Sequence, residues 1–355
     1  MKKIIAIIDC SIPINSRNQK IINSIKSYYP EYEIHVITWN REGLTLKEKD
    51  NFHAYYCIAP YADAKAKISG MFGYKKYIQK TFNKIHPDII IASHWSNLIL
   101  VAGTKTKGQK LIYENLDIPT GGYIVRKTSQ LLEKWALRKT DLIIHASRFF
   151  IPLYPKRIPQ IILENKPAFA PNFSHKKPQH PLRISFIGRI RYKEILINLV
   201  DALKNDNRYK LYFHGSGEDF SFMQKYCKNV ENVTFTGEYK YEDVVKLYHQ
   251  SDIIWAAYPN KDYNVVYAIS NKFHESSYVG IPCVYSDHTK LADFVEEKEI
   301  GLVVNPYDTN KIKALFSKIY DNKIDLENIK KNMIKFQKEE TTWETDIQEF
   351  KTFLE

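Results

Sequence analysis

Lys272 and Glu275 stand three residues apart in the run Ser270-Asn271-Lys272-Phe273-His274-Glu275, which leads through Gly280-Ile281-Pro282 into the short apolar segment PCVYS. On a helix that separation puts both side chains on one face. Ser270 or Asn271 can cap the helix start. The N-terminus of a helix carries unbonded N–H groups and partial positive charge, which suits a phosphate. A lysine in the first turn is electrostatically misplaced unless an anion joins it. Glu275, one turn deeper, can accept hydrogen bonds from ribose hydroxyls. Taken alone, the pair equally fits a surface ion pair ahead of a helix–strand turn.

Other residues could share the same chemistry. Arg189 and Lys193 lie four apart just after the strand-like FIG, where a loop turns into a helix. Two cations there can grip a diphosphate and stabilise it as it leaves, without a divalent metal. Arg191 competes for that role, and a solvated basic helix start is the bland alternative. Gly215 and Gly217 follow another strand and would let backbone pass close to a ligand. Glu238 and Tyr239 follow the next and could meet a base through main-chain atoms. In the first half, His94 ends the strand DIIIAS and could act as a base or bond a sugar. More often such a histidine only packs or caps. Asp117 follows KLIYENL and could contact a sugar. Arg17, after the first strand, could hold an acceptor phosphate, and Gly121-Gly122 marks a mobile acceptor loop.

Alternating strands and helices must position these groups. In the first half IIAII, YEIHVITW (32–39), DIIIAS (88–93), KLIYENL (110–116) and DLIIHAS (141–147) read as strands. Asn18–Tyr28, Tyr74–Ile85 and Tyr123–Arg138 have helical spacing between them. The second half repeats the rhythm with LRISFIG (182–188), YKLYFHG (209–215), NVTFTG (232–237), DIIWAAY (252–258), PCVYS (282–286) and GLVVN (301–305). Such alternation implies parallel sheets wound with helices, whose ligands bind beyond the carboxyl ends of the strands. The proline-containing stretch 166–181 should separate two domains, placed at 1–170 and 171–340. A helix within 341–355 follows and would pack back on the first.

Bulk properties narrow the class. The chain has 355 residues, 44% hydrophobic and 26% charged, enough for two globular domains. Asp9 interrupts the opening apolar run too early for a signal peptide, and no window suits a transmembrane helix. Cys10, Cys57, Cys227 and Cys283 form no CxxC pair, which fits a reducing cytoplasm and offers no metal site. Residues 1–175 hold 26 basic and 13 acidic side chains, and residues 176–355 hold 26 and 27. The whole positive excess therefore lies in the first half and would draw anionic partners there. The segment 65–84 mixes Lys65, Lys67, Lys75, Lys76, Lys80 and Lys84 with Met71, Phe72, Tyr74, Tyr77 and Phe82. It would suit an anionic membrane face, or be an ordinary surface helix. Nucleic acid is set aside because no motif for it is present.

The run Tyr258-Pro259 … Ser270-Asn271-Lys272-Phe273-His274-Glu275 … Gly280-Ile281-Pro282-Cys283-Val284 resembles the SPNKLFE…GKPV signature of GT-B glycosyltransferases of the family 4 type. FIGRIRY (186–192), HGSGED (214–219), residues 233–253 and GLVVNPYD (301–308) extend the likeness, more diffusely joined by IYENLDIP (112–119) and residues 134–147. The resemblance implies a GT-B fold of two Rossmann-like domains facing across a cleft. It implies a glycosyltransferase taking a nucleoside-diphosphate sugar to a glycan hydroxyl, with retention and without a metal or other cofactor. Surface polysaccharide synthesis on a lipid-linked acceptor, at the cytoplasmic membrane face, would fit. Lys272 would lie near the donor diphosphate, with Arg189 and Lys193 beside it, and Glu275 on the ribose. Two positions depart: Tyr267 stands eight residues before Glu275 where many members carry a second Glu, and Leu116 stands where they carry His. The departures keep open a non-catalytic binding protein, and a nucleotide-sugar epimerase is a further alternative.

Overall fold

The computed structural model describes residues 2–9, 11–45, 50–59, 64–174 and 176–355, so Cys10 lies outside the described residues. The chain divides into two compact units: Met1–Glu164 with Glu344–Glu355, and Asn165–Trp343. The break falls just ahead of the proline-containing stretch.

The first unit runs β1 (Ile4–Ile8), α1 (Ser16–Tyr28), β2 (Glu33–Asn40), β3 (Phe52–Tyr56), α2 (Ala64–Ile85), β4 (Ile89–Ser93), α3 (Trp95–Ala102), β5 (Lys110–Asn115), α4 (Tyr123–Ala136), β6 (Leu142–His145) and β7 (Gln160–Ile162). Its seven strands are all parallel, in the order β3-β2-β1-β4-β5-β6-β7. Isoleucines fill β1 because both of its faces are covered, as in any wound parallel sheet. Ile5 pairs with Ile34 on one side and Ile89 on the other. The strand order reverses there, so the ends of β1 and β4 form the switch point where such sheets bind ligands.

Two strands and half a helix go beyond the sequence pattern. β3 is a half-exposed edge strand and β7 spans only three residues. α2 begins at Ala64, ten residues before the expected helical start at Tyr74. Gly70 and Gly73 disguise its first turns, and packing requires them. A Cβ at Gly70 would stand 2.3 Å from the Trp39 ring, and one at Gly73 2.0 Å from the Tyr55 hydroxyl.

The second unit contains β8 (Leu182–Ile187), α5 (Lys193–Leu203), β9 (Tyr209–His214), α6 (Phe220–Tyr226), β10 (Val233–Gly237), α7 (Val244–His249), β11 (Ile253–Trp255), α8 (Tyr263–Tyr267), α9 (Asn271–Val279), β12 (Cys283–Ser286), α10 (Lys290–Glu297), β13 (Leu302–Val304), α11 (Thr309–Tyr320) and α12 (Leu326–Glu339). Six parallel strands lie in the order β10-β9-β8-β11-β12-β13. Ile184 on β8 pairs with Leu211 and with Ile253, again at the point of reversal. Trp255, Tyr209, Phe213 and Phe316 fill the core.

The last helix, α13 (Trp343–Leu354), belongs almost wholly to the first unit. Lys3 and Lys110 donate to the carbonyls of Leu354 and Phe353 at 2.5 and 2.8 Å, satisfying its C-terminal end. Both units are thus Rossmann-like α/β domains. No described helix is long and apolar enough to cross a membrane.

Candidate active site

In the second unit the loops after β8 and β9 are joined by backbone. Gly188 N–H donates to His214 O at 2.9 Å and Ile190 N–H to Ser216 O at 2.9 Å. The contact admits no side chain. Gly215, at φ +120°, would place a Cβ 2.1 Å from the Gly188 carbonyl oxygen, and Gly217 would place one 2.5 Å from that of Ile190. The two glycines therefore serve loop-against-loop packing, which brings Gly188 beside the start of α9. Glu238 ties in the next loop by accepting from Ser216 Oγ at 2.7 Å.

α9 is the centre of the site. Ser270 is its N-cap but makes no capping bond, and its buried hydroxyl has no partner among the described residues. The first N–H groups of the helix are therefore not capped by a side chain. Asn271 is exposed and accepts from Asn165 at 3.1 Å. Lys272 is buried, with its ammonium donating to the Tyr258 hydroxyl at 2.7 Å. That ammonium lies 4.4 Å from the centre of the Phe186 ring and 5.1 Å from that of Tyr258. No carboxylate lies within ion-pair distance of it among the described residues. Aromatic faces offset only part of the cost of burying a cation. A bound anion would supply the rest.

Glu275 is also buried and accepts from the Tyr248 hydroxyl at 2.8 Å. Burial raises its pKa, while the Tyr248 and Tyr241 hydroxyls and the Lys272 charge pull it back. Tyr239 stands close enough for its hydroxyl to be pushed up to about 12, by burial first and by Glu275 next. Three tyrosines thus surround this carboxylate. Sequence reading found Tyr239 but missed Tyr241, Tyr248 and Tyr258. The seven-residue spacing of Tyr241 and Tyr248 suits one side of a helix but does not say what they face.

Arg189 and Lys193 do not converge on Lys272. The exposed Arg189 donates to Glu218 at 2.8 Å, and the Lys193 ammonium sits 4.8 Å from the centre of the Phe222 ring. Lys193 opens α5, its amide bonded to Asp219 at 3.0 Å. Exposed pairs of this kind contribute about 1 kcal/mol or less, so an incoming diphosphate could displace them. Tyr267 ends α8 with its ring edge-on to Tyr263, 5.4 Å between centres.

In the first unit His94 caps α3 at φ 75°. Its Nδ1 accepts from the Ser96 amide at 3.3 Å, so the ring proton sits on Nε2. Burial, then the Lys67 charge, holds the imidazole down to about 4. This neutral ring is a hydrogen-bond donor at Nε2, which disfavours the expected role of base. The unfolded imidazole takes its proton near 6.5 and the folded one only near 4, so the unfolded state binds more protons in between. Folding stability should therefore fall as pH drops through that window. His94→Gln should flatten that part of a urea-melt profile against pH.

Asp117 is exposed in the loop after β5, and Gly122 is the N-cap of α4. Arg17 corrects the expectation of a phosphate ligand: it is 2% exposed, and its Nε donates to the wholly buried Glu114 at 2.7 Å. Around that pair Asp9 accepts from Asn15, Asn18 and Ser11, and Ser93 bonds Asn18 and Glu114. The group sits at the ends of β1, β4 and β5 and holds their loops. The basic segment 65–84 forms most of α2, with an inner and an outer side. Tyr74 and Phe82 face the core, and only Phe72 of its aromatics is exposed. Among the described residues no three His, Cys, Asp or Glu side chains are placed to share a metal ion.

Comparisons with known proteins bear on family and fold. Residues 170–336 match the family described as Glycosyl transferases group 1. The whole chain resembles in fold a sucrose-phosphate synthase from Thermosynechococcus elongatus, at 13% identity and TM-score 0.77, covering 99% of this chain and 98% of that one. It likewise resembles Anabaena Alr3699/HepE in complex with UDP, at 14% identity and TM-score 0.71, covering 100% and 99%. A further HepE structure holds UDP-glucose. The lipopolysaccharide outer core galactosyltransferase WaaB, in its apo form, aligns at 13% identity and TM-score 0.62, covering 98% of both chains. Identities this low establish shared fold. No curated protein matches the sequence. The second unit thus carries a glycosyl transferases group 1 domain, the chain has the GT-B fold, and the two together support a glycosyltransferase.

Proposed function

We propose that the protein moves a sugar from a nucleoside-diphosphate donor to a hydroxyl of a glycan acceptor, with retention of anomeric configuration and no metal ion. One observation carries the reading. A buried ammonium with no carboxylate partner among the described residues lies in the first turn of α9, one turn ahead of a buried carboxylate. Lys272 is suited to the diphosphate and stabilises the negative charge that grows as the bond to the sugar breaks. Glu275 is suited to the ribose, one of its oxygens already fixed by Tyr248. Arg189 and Lys193 are assigned to the diphosphate as further positive charge, once it draws them from Glu218 and Phe222. Asn271, Gly215, Gly217, Glu238 and Tyr239 shape the nucleotide end. His94 and Asp117 are assigned to the sugar or the acceptor. The acceptor we favour is a lipid-linked glycan of surface polysaccharide assembly, because the positive excess lies in the half that carries those residues.

A thermal-shift screen across UDP-, GDP-, ADP- and CMP-sugars tests the donor class. A true donor at a hundred times its Kd should stabilise by about 2.7 kcal/mol. Glu275→Gln should weaken that donor's binding about tenfold to a hundredfold, the usual worth of one or two hydrogen bonds to a charged acceptor. No shift with any of them would overturn the reading. A non-catalytic reading draws on Tyr267 and Leu116, which replace the Glu and His of the resembled signature. Measurable donor hydrolysis that Lys272→Ala removes would dismiss it.

A further inference from the structure

Helix α4 turns an apolar stripe outward. Its inner side is Ser129, Glu133 and Ala136, with Glu133 bonded to the Tyr113 and Tyr154 hydroxyls at 2.8 Å each. On the opposite side Ile124, Leu131 and Trp135 follow one another at spacings of seven and four, one line along a helix. They are 77%, 68% and 41% exposed. Tyr123, Val125 and Leu132 flank them and are exposed too. A surface helix ordinarily buries such a stripe against its core.

Basic residues run beside it. Lys127 and Lys134 lie seven apart, and Arg138 and Lys139 continue just past the helix end. Between Tyr123 and Lys139 the one acidic residue is Glu133, which is buried. Lys127 and Lys139 rest against the Tyr123 and Trp135 rings, 5.8 and 5.5 Å from their centres.

α2 extends the surface. Ile68, Phe72 and Lys75 share one of its faces at spacings of four and three, with Ile68 and Phe72 exposed. Lys75 Nζ and the Trp135 ring meet over Gly103, 3.6 and 3.7 Å from where a Cβ there would stand. The two stripes therefore share a border at the C-terminus of α3.

We propose that this face docks the first unit on an anionic phospholipid bilayer. Ile124, Leu131, Trp135 and Phe72 enter the headgroup boundary, and the lysines and arginines lie among lipid phosphates. Trp and Tyr suit that boundary because each has an apolar body and a polar tip. The charge disfavours the same face of a second copy as the occupant, since two basic faces would repel. The proposal is independent of the nucleotide site, which lies in the other unit.

Flotation of the full chain with phosphatidylcholine vesicles, with and without phosphatidylglycerol, tests it at low salt. The chain should float with the anionic vesicles and be released by salt. Lys127→Ala with Lys134→Ala should weaken that binding about thirtyfold, at about a factor of five per lysine near such a surface. Ile124→Glu with Leu131→Glu should weaken it about a hundredfold, through lost apolar burial. These positions are exposed, so the nucleotide-sugar thermal shift should persist in all variants and report that they fold. Failure to float, equal flotation with neutral vesicles, or unaltered binding by the variants would each overturn the proposal. So would a soluble dimer that Leu131→Glu dissociates and that does not float, because the face would then belong to a second copy.

Discussion

Lys272→Ala should lower turnover of the nucleotide-sugar donor by about 10²–10³, the usual cost of losing one fixed donor to a developing negative charge. The effect should fall on kcat more than on KM. The ammonium is needed most when the diphosphate departs, and least when the intact donor merely binds. Folding stability should not drop in step, because the ammonium has no carboxylate to leave unpaired. Lys272→Arg should not rescue fully. The ammonium occupies a space bounded by Phe186, Tyr258 and Gly188, and a guanidinium is larger and planar. Steady-state release of nucleoside diphosphate and a urea melt of the same preparations measure both effects. A variant that turns over normally would remove Lys272 from the mechanism.

Arg17→Ala should behave in the opposite way. It leaves Glu114 fully buried with its charge uncompensated, at a cost of about 3–5 kcal/mol in folding stability. Glu114 can escape part of that cost by protonating, since burial already raises its pKa against the pull of Arg17. The loss should therefore be largest at high pH and shrink on acidification. Arg17→Met with Glu114→Leu should recover much of it, because apolar residues of similar volume can replace a buried pair. Denaturant melts across pH measure this. If Arg17→Ala instead left stability intact and raised KM for the acceptor, the arginine would be a ligand after all.

The contrast between these two cations shows what the sequence can carry. Lys272 was legible because its setting is local: a helix start, a glutamate one turn on, and a glycine–proline turn into a strand. Arg17 also followed a strand and resembled a ligand. Its partner Glu114 is 97 residues away, and only the pairing of β1 with β4 and β4 with β5 brings the two together. The contacts of Tyr258, Tyr248 and Tyr241 with Lys272 and Glu275 were hidden for the same reason. These tyrosines reach α9 from the loop after β11, from α7 and from the turn before α7, which no spacing within one element reports. Lys193 was expected where a loop turns into a helix, and it opens α5, but α6 offers Phe222 to its ammonium, a contact between two helices that sequence spacing does not encode. The alternation of strands and helices gave the doubly wound units, because parallel strands buried on both faces announce themselves as apolar runs. The half-exposed β3 and the three-residue β7 do not.

The division of labour on α9 can be tested with one set of calorimetric titrations. The nucleoside diphosphate selected by the thermal-shift screen and its 2′,3′-dideoxy analogue would each be titrated into wild type, Lys272→Ala and Glu275→Gln. With Lys272 on the diphosphate and Glu275 on the ribose, wild type should prefer the ribose form. Lys272→Ala should bind both forms more weakly yet keep that preference. Glu275→Gln should lose the preference while still binding through the diphosphate. Retained discrimination in Glu275→Gln, or unchanged affinity in Lys272→Ala, would contradict the assignment of this helix as the nucleotide site.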